Sequence, residues 1–256
     1  VKLTNKFNLP EVFMKAVIND KYSIGEAADF SVTGLLKPAR QSQLEYLNRD
    51  QIEDDVSNRI FSLLGQSIHT ILERGAGETD VVEKRFFADF DGKIVSGQID
   101  LLSAKGALVD FKVTQVYPFT DKGGRGNKPE WVAQLNMQLE LLRRNGLDAK
   151  SLHICGILKD WSASGLDPSN KMKYTKGYPL APVVVVSIPM WSREQTQEFI
   201  RNRIKAHLSA MEKLSLCSKE ETWSGRRCKG YCVVSDFCDQ YKETKQTGIM
   251  KETYEV

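Results

Sequence analysis

The 256-residue sequence has no apolar run approaching the roughly 20 residues needed to cross a bilayer, so a helical membrane span is not expected. It has no internal repeat and no sustained low-complexity tract, which argues against solenoids, propellers and fibrous arrays. Neither sign of charge dominates: 36 Lys and Arg stand against 33 Asp and Glu, giving a formal net charge of +3 and a pI near 8.5. Such a balance permits nucleic-acid binding without demanding it. Cysteine is scarce outside one stretch, since only Cys155 of the five precedes Cys217. No secretory signal is evident, so disulfides are the less favoured use of these thiols.

What is present suits a folded enzyme or binding domain. A chain of this length with 41% hydrophobic residues can bury a sizeable core, and one domain with appendages fits better than two. The segment Ile94 to Leu102 alternates in polarity, a turn follows at Lys105-Gly106, and Ala107 to Val113 forms a second run. This predicts a hairpin. Side chains two apart on a strand share a face, roughly 6 to 7 Å apart, so Asp110 and Lys112 look one way while Val109, Phe111 and Val113 look into a core. Gln98 and Asp100 join the polar face. Two carboxylates beside an ammonium can hold a hard divalent cation that keeps several waters, with the lysine orienting an attacking water. The same pattern also occurs on ordinary solvated strands.

Flanking segments add polar groups. Leu63 to Glu73 has helical spacing, with Gly65, His69 and Glu73 on one face and Gly65 expected to admit a close backbone. A histidine there is a packed side chain or a metal ligand. Trp131 to Leu142 predicts a second helix, with Gln134 and Gln138 one turn apart and able to touch phosphate or sugar. Glu83, in the strand-like run Val81 to Phe87, is a lesser candidate for a further carboxylate. A flexible glycine-rich loop with Lys122, Arg125 and Lys128 lies between the hairpin and the glutamine helix. Arg40 (with Lys37) and Arg143-Arg144 are further candidate contacts to a nucleic-acid backbone.

The remaining pattern predicts helix over Gln41 to Ser57, three strands up to about residue 114, helix over 129–145 and strand over 151–159. A long surface loop at 160–182, a buried strand at Val183 to Ile188, and a helix from Arg193 to about Leu214 capped by Ser192 complete it. The expected architecture is an α/β sandwich with a central mixed sheet. Its divisions are a helical extension at 1–58, a core at 59–214, and a cysteine-rich segment at 215–256 packed on the core. Cys155 is expected to be a buried small hydrophobe. Cys217, Cys228, Cys232 and Cys238 sit in a segment too poor in apolar periodicity to bury much core, so a crosslink or a bound metal would explain its order. Their spacing lacks the tight Cys-x2-Cys knuckle of zinc fingers, and free thiols remain the alternative.

The ordered set Gly65-x-x-x-His69, Gly97-x-x-Asp100, Asp110-x-Lys112 and Gln134-x-x-x-Gln138 resembles the RecB-like branch of the PD-(D/E)xK nuclease superfamily, in its phage-type exonuclease form. The resemblance is strong over about residues 60 to 145. It implies a restriction-endonuclease-like core and a Mg²⁺- or Mn²⁺-dependent DNA exonuclease. Metal ligands would be His69, Asp100, Asp110 and the Val113 carbonyl, with Lys112 assisting the nucleophilic water. Gln138 stands where that family commonly has tyrosine, and Val113 where it often has threonine. The cysteines partly resemble the cluster of iron-sulfur nucleases in the same superfamily, which implies a 4Fe-4S cluster, with Zn²⁺ as the alternative. Those nucleases take one cysteine from before the core, whereas all four would come from one side here. DNA is the implied partner, alongside recombination or replication proteins, in the cytoplasm of a bacterial or phage-infected cell. The competing readings are a non-catalytic DNA-binding module on a nuclease scaffold and an endonuclease of the same superfamily.

Overall fold

The computed structural model describes residues 1–19 and 27–247. In chain order the elements are β1 (Lys2–Thr4), α1 (Glu11–Ile18), β2 (Phe30–Ser31), α2 (Val32–Leu35), α3 (Ala39–Leu47), β3 (Glu53–Asp55), α4 (Ile60–Glu73), β4 (Val81–Phe90), β5 (Lys93–Leu102) and β6 (Ala107–Thr114). They continue with α5 (Pro129–Arg144), β7 (Ser151–Leu158), β8 (Val183–Ile188), α6 (Arg193–Glu212), α7 (Lys219–Thr222), α8 (Arg226–Gly230) and α9 (Asp239–Thr247). No helix among the described residues is long and apolar enough to cross a membrane.

The chain divides into two compact units, one of Ser23–Val32 and Phe61–Glu198, the other of Val1–Tyr22, Thr33–Ile60 and Phe199–Val256. The first holds a six-stranded mixed sheet flanked by helices, the α/β architecture expected from the sequence. Strand order is β2-β5-β6-β7-β8, with β4 antiparallel along the other edge of β5. β6 and β7 pair in parallel over their whole length, and α5 supplies the crossover between them.

Period-two burial runs along β4, where Phe86, Ala88 and Phe90 are buried and Phe87 and Asp89 are exposed. α5 covers this sheet and is buried nearly all round, from Val132 to Leu142, apart from Gln134. Proline at its first position starts the helix without wasting a donor. Its buried Glu140 is held by Arg144 at 2.9 Å, Arg193 at 3.1 Å and Gln197 at 2.8 Å. Gly97 of β5 admits α5 closely: a Cβ there would meet Leu141 Cδ1 at 2.7 Å and Val32 Cγ2 at 2.9 Å.

Three burial expectations for this unit change. Val183, Val185 and Ser187 of the edge strand β8 are exposed in alternation with half-buried Val184 and Val186, so one face of this strand is open where burial was expected. On β6 the supposedly open face is the more buried one, with Leu108 and Asp110 covered and Val109, Phe111 and Val113 half-buried, because α5 packs over the Asp110 side. Cys155 is likewise half-buried rather than buried. Ser192 caps α6 as expected, in a reciprocal box: Gln195 N donates to Ser192 Oγ at 3.1 Å and Ser192 N to Gln195 Oε1 at 2.9 Å.

In the second unit β1 and β3 pair in parallel, with Lys2 opposite Glu53 and Thr4 opposite Asp55. Asp55 accepts from Thr4 Oγ1 at 2.9 Å, Lys6 N at 2.8 Å and Ser57 N at 3.0 Å, and these donors hold its carboxyl well below the usual range. The single helix expected over Gln41 to Ser57 is replaced by α3, then β3. Asn48 ends α3 by folding its amide back onto the Leu44 carbonyl at 2.9 Å, and β1 recruits the following residues as a strand. A core of Leu44, Ile52, Val234, Cys238 and Tyr241 joins the N-terminal stretch to the cysteine-bearing segment. The two ends of the chain thus share one unit, in place of the separate extension and appendage expected. Residues 20–26 and 248–256 of those segments lie outside the described residues.

Candidate functional site

The site in the sheet-bearing unit arises where β5 and β6 part. They bridge only at Leu101 with Val109 and Leu102 with Leu108, so the next facing positions, Asp100 and Asp110, open a gap in the sheet. Backbone groups stranded there must find side chains. Asp100 Oδ2 accepts from Phe111 N at 2.7 Å, and Gln138 Nε2 donates to the Gln98 carbonyl at 2.8 Å. Gln138 is thereby buried at 2% exposure and serves a backbone carbonyl, where the sequence suggested a contact to phosphate or sugar.

His69 reaches this gap from α4. Its Nδ1 lies 3.0 Å from Glu83 Oε1 and 3.7 Å from Asp100 Oδ1, and its ring meets Phe111 edge-on at 6.1 Å. Gly65, expected to admit a close backbone, faces open space. Glu83 is fixed by Gln98 Nε2 at 2.6 Å, and Gln98 is held in turn by Arg85 at 3.1 Å. Ligand atoms of His69, Glu83 and Asp100 all lie within 4.8 Å of one another, so this group could hold a metal ion. Glu83, the lesser candidate by sequence, is therefore at the centre of the group. It stands opposite Asp100 across β4 and β5, a relation set by the register of the folded sheet.

Glu83 also carries backbone strain. Its φ is +46° inside a strand, a left-handed conformation costly for a residue with a Cβ. The electrostatics favour a cation. Burial first, then the Asp110 charge, pushes the Asp100 carboxyl up to about 7. The hydrogen bond to Glu83 raises His69, against burial, with Asp100, Glu83 and Asp110 adding to the rise. Burial raises Glu83, but the His69 and Gln98 hydrogen bonds outweigh it and leave its carboxyl below the ordinary value.

Asp110 and Lys112 form the second half of the site. Lys112 Nζ lies 2.7 Å from Asp110 Oδ2, in an ion pair whose angle leaves that oxygen without a directed hydrogen bond. Gln134 links both partners, donating to Asp110 Oδ1 at 2.6 Å and accepting from Lys112 at 3.0 Å. Val113 is half-buried on β6 opposite Ile157. Lys122 and Arg125 are exposed, Arg125 paired with Asp121 at 2.9 Å, and Lys128 Nζ sits 4.8 Å over the Trp131 ring. Backbone hydrogen bonds close their loop: Arg125 N donates to Thr120 O at 3.0 Å and Gly126 N to Pro118 O at 2.8 Å. Arg143 pairs with Asp148 and Arg144 with Glu140, which accounts for both without a ligand.

The cysteines form a second candidate site, in the other unit. Cys217, Cys228, Cys232 and Cys238 line one cavity together with Arg40, Gln41 and Arg227. All four are free thiols. Gln240 clamps Cys217 by exchanging two hydrogen bonds of 2.9 Å with its backbone. Burial, followed by Glu221 and the neighbouring sulfurs, pushes the Cys217 thiol up to about 12, and burial raises Cys228 and Cys232 too. Gln41 Oε1 is buried without a hydrogen-bond partner. Arg40, read from sequence as a nucleic-acid contact, is instead 7% exposed and points into this group.

No protein-family model and no curated protein matches the sequence. Among solved structures, the crystal structure of SSO0001 is similar at 16% identity and a TM-score of 0.56, over 90% of this chain and 93% of that one. A phage-related exonuclease from Haemophilus somnus 129PT matches at 14% identity and a TM-score of 0.35, over 79% of each chain. The first of these likenesses shows that this chain has the fold of SSO0001.

Proposed function

We propose that the chain is a divalent-metal-dependent deoxyribonuclease with a restriction-endonuclease-like core that hydrolyses phosphodiester bonds from DNA ends. The carrying observation is the facing of His69, Glu83 and Asp100 with the Gln134-held pair Asp110 and Lys112 across the gap between β5 and β6. The residues fit a cation: two carboxylates and an imidazole crowd one place, and burial and the nearby Asp110 charge make Asp100 reluctant to ionise without a positive charge beside it. The carboxylate oxygens suit Mg²⁺ and Mn²⁺ alike.

His69, Glu83 and Asp100 would hold the ion, with Asp110 beside them and the Val113 carbonyl as a further oxygen. When bound, the ion supplies Lewis acidity and neutralises charge on the scissile phosphate. Lys112 orients the attacking water and stabilises charge growing on phosphorus, and Gln134 keeps its ammonium in place. Lys122, Arg125 and Lys128 would contact the DNA backbone. The exonuclease mode rests on the likeness of the histidine motif to the RecB-like branch. Partners in recombination or replication belong to the same reading.

We further propose that Cys217, Cys228, Cys232 and Cys238 hold a metal centre, a 4Fe-4S cluster or a zinc ion. Four cysteines and a partnerless Gln41 oxygen around one cavity fit a cation there. Iron and sulfide content, with the visible spectrum of anaerobically purified protein, separates the two.

The decisive experiment digests 5′- and 3′-labelled linear DNA and closed circular DNA with Mg²⁺, Mn²⁺ or a chelator. Cleavage of linear DNA alone, abolished by chelator and by Asp110→Ala or Lys112→Ala, is expected. Equal degradation of circles would identify an endonuclease. Full activity of either variant in Mg²⁺ overturns the catalytic assignment.

A further inference from the structure

Among the described residues Arg40 is the most deeply buried Lys or Arg of the cysteine-bearing unit, and its hydrogen bonds go to a sulfur and two carbonyls; Glu221 lines the same cavity but pairs with Arg203. Arg40 Nε donates to Cys238 Sγ at 3.3 Å. One terminal nitrogen donates to the Leu214 and Ser215 carbonyls at 3.3 and 3.4 Å. Cys238 is itself buried. A guanidinium cannot shed its proton, so its charge must be compensated where it stands. Two carbonyl dipoles and a protonated thiol do this poorly, because a thiol sulfur is a weak acceptor. A thiolate does it well, since ionised acceptors roughly double the strength of a hydrogen bond.

The sulfurs have a matching need. Four thiolates around one cavity repel one another unless a cation sits among them, and a zinc ion or an oxidised cubane, each with two positive charges, still leaves the centre negative. A fixed positive group beside one ligand lowers that residual charge. Arg40 and Arg227 both line the cavity, and its one acidic lining residue among those described, Glu221, is paired with Arg203.

We infer that Arg40 is a positioning residue for the metal centre: it donates a charge-assisted hydrogen bond to the ligating sulfur of Cys238, orients that ligand and offsets part of the centre's negative charge. This rests on the reading of the four cysteines as metal ligands. Outer hydrogen-bond partners of this kind commonly contribute 10–100-fold to metal affinity.

The test uses the full chain as wild type, Arg40→Met and Arg40→Lys, purified anaerobically and loaded with ferrous iron plus sulfide, with zinc, or with cobalt as a coloured stand-in for zinc. Chelator competition should show a loss of about 10–100-fold in affinity for Arg40→Met. The thiolate-to-metal absorption band should shift, and in the iron arm the midpoint potential should fall, because the reduced, more negative centre loses its cation. Arg40→Lys, keeping charge near the sulfur, should recover part of each effect. Thermal unfolding of the metal-free proteins verifies that the variants fold. Unchanged affinity and band position in Arg40→Met would overturn the inference, as would a loss of affinity with no spectral change and no recovery by lysine. A wild-type chain that takes up neither iron nor zinc fails earlier, at elemental analysis, and sinks the metal-centre reading along with the inference.

Discussion

Glu83 and Asp100 stand opposite one another across β4 and β5 at the one position where the ladder from Val81–Leu102 to Phe90–Lys93 does not bridge, and both approach His69 Nδ1. The left-handed backbone of Glu83 breaks the pairing there and gives its carboxylate a place beside the imidazole. Strain of this kind, of order 1–3 kcal/mol, persists only where the surroundings hold the residue.

Glu83 therefore separates stability from metal binding. Glu83→Gly should be more stable than Glu83→Ala by about 1 kcal/mol in urea unfolding, because glycine accepts the positive φ freely. Both variants should lose cation affinity, measured calorimetrically with Mn²⁺. Equal stability of the two would count against strain at this position.

The pH dependence follows from Asp100, whose carboxyl is raised from an ordinary value of 3.8 to about 7. A carboxyl that binds its proton more tightly in the folded state stabilises the fold at low pH. That contribution is present below about pH 4 and is lost as pH rises through about 7. The metal-free protein should lose stability over this window, and Asp100→Asn should flatten the profile. Cation binding should release protons near pH 7 and tighten as pH rises; affinity independent of pH between 6 and 8 would contradict this.

Gln138 and Gln134 should behave differently although they lie one turn apart. Gln138→Leu strands the Gln98 carbonyl and should cost about 1–3 kcal/mol of stability, leaving the salt dependence of DNA binding unaltered. Gln134→Leu frees Lys112 and Asp110 and should lower kcat far more than it changes KM. Stopped single-turnover digestion and urea titration of both variants distinguish the roles.

At Gly97 the prediction concerns packing. Gly97→Ala places a Cβ within 3 Å of Leu141 and Val32 and should destabilise by about 1–3 kcal/mol, as overpacking does. A fully stable variant would show that α5 is less tightly seated than its contacts indicate.

Along the loop before α5, Lys122→Ala combined with Arg125→Ala should weaken DNA binding uniformly across sequences. The slope of log affinity against log salt should drop by roughly 0.7–0.9 per lost phosphate contact. An unchanged slope would remove both residues from the DNA interface.

Local pattern carried much of this protein in its sequence. Alternation marked β5, short strand-like runs marked β4 and β6, helical spacing marked α4, a glutamine pair one turn apart sat on α5, and a capping serine marked the start of α6, because these signals depend on neighbours within a few residues. His69, Asp100, Asp110, Lys112 and Gln134 could be singled out for the same reason. Only the tertiary structure decided how strongly Glu83 enters the group, since that depends on a strand register and an unusual φ. It also turned Gln138 inward to serve a carbonyl in the gap between β5 and β6, and it brought Arg40 beside Cys238 across nearly 200 residues of chain. Polar side chains at such distances are placed by the backbone groups and charges that folding leaves unpaired, and no local pattern records which of these will be left.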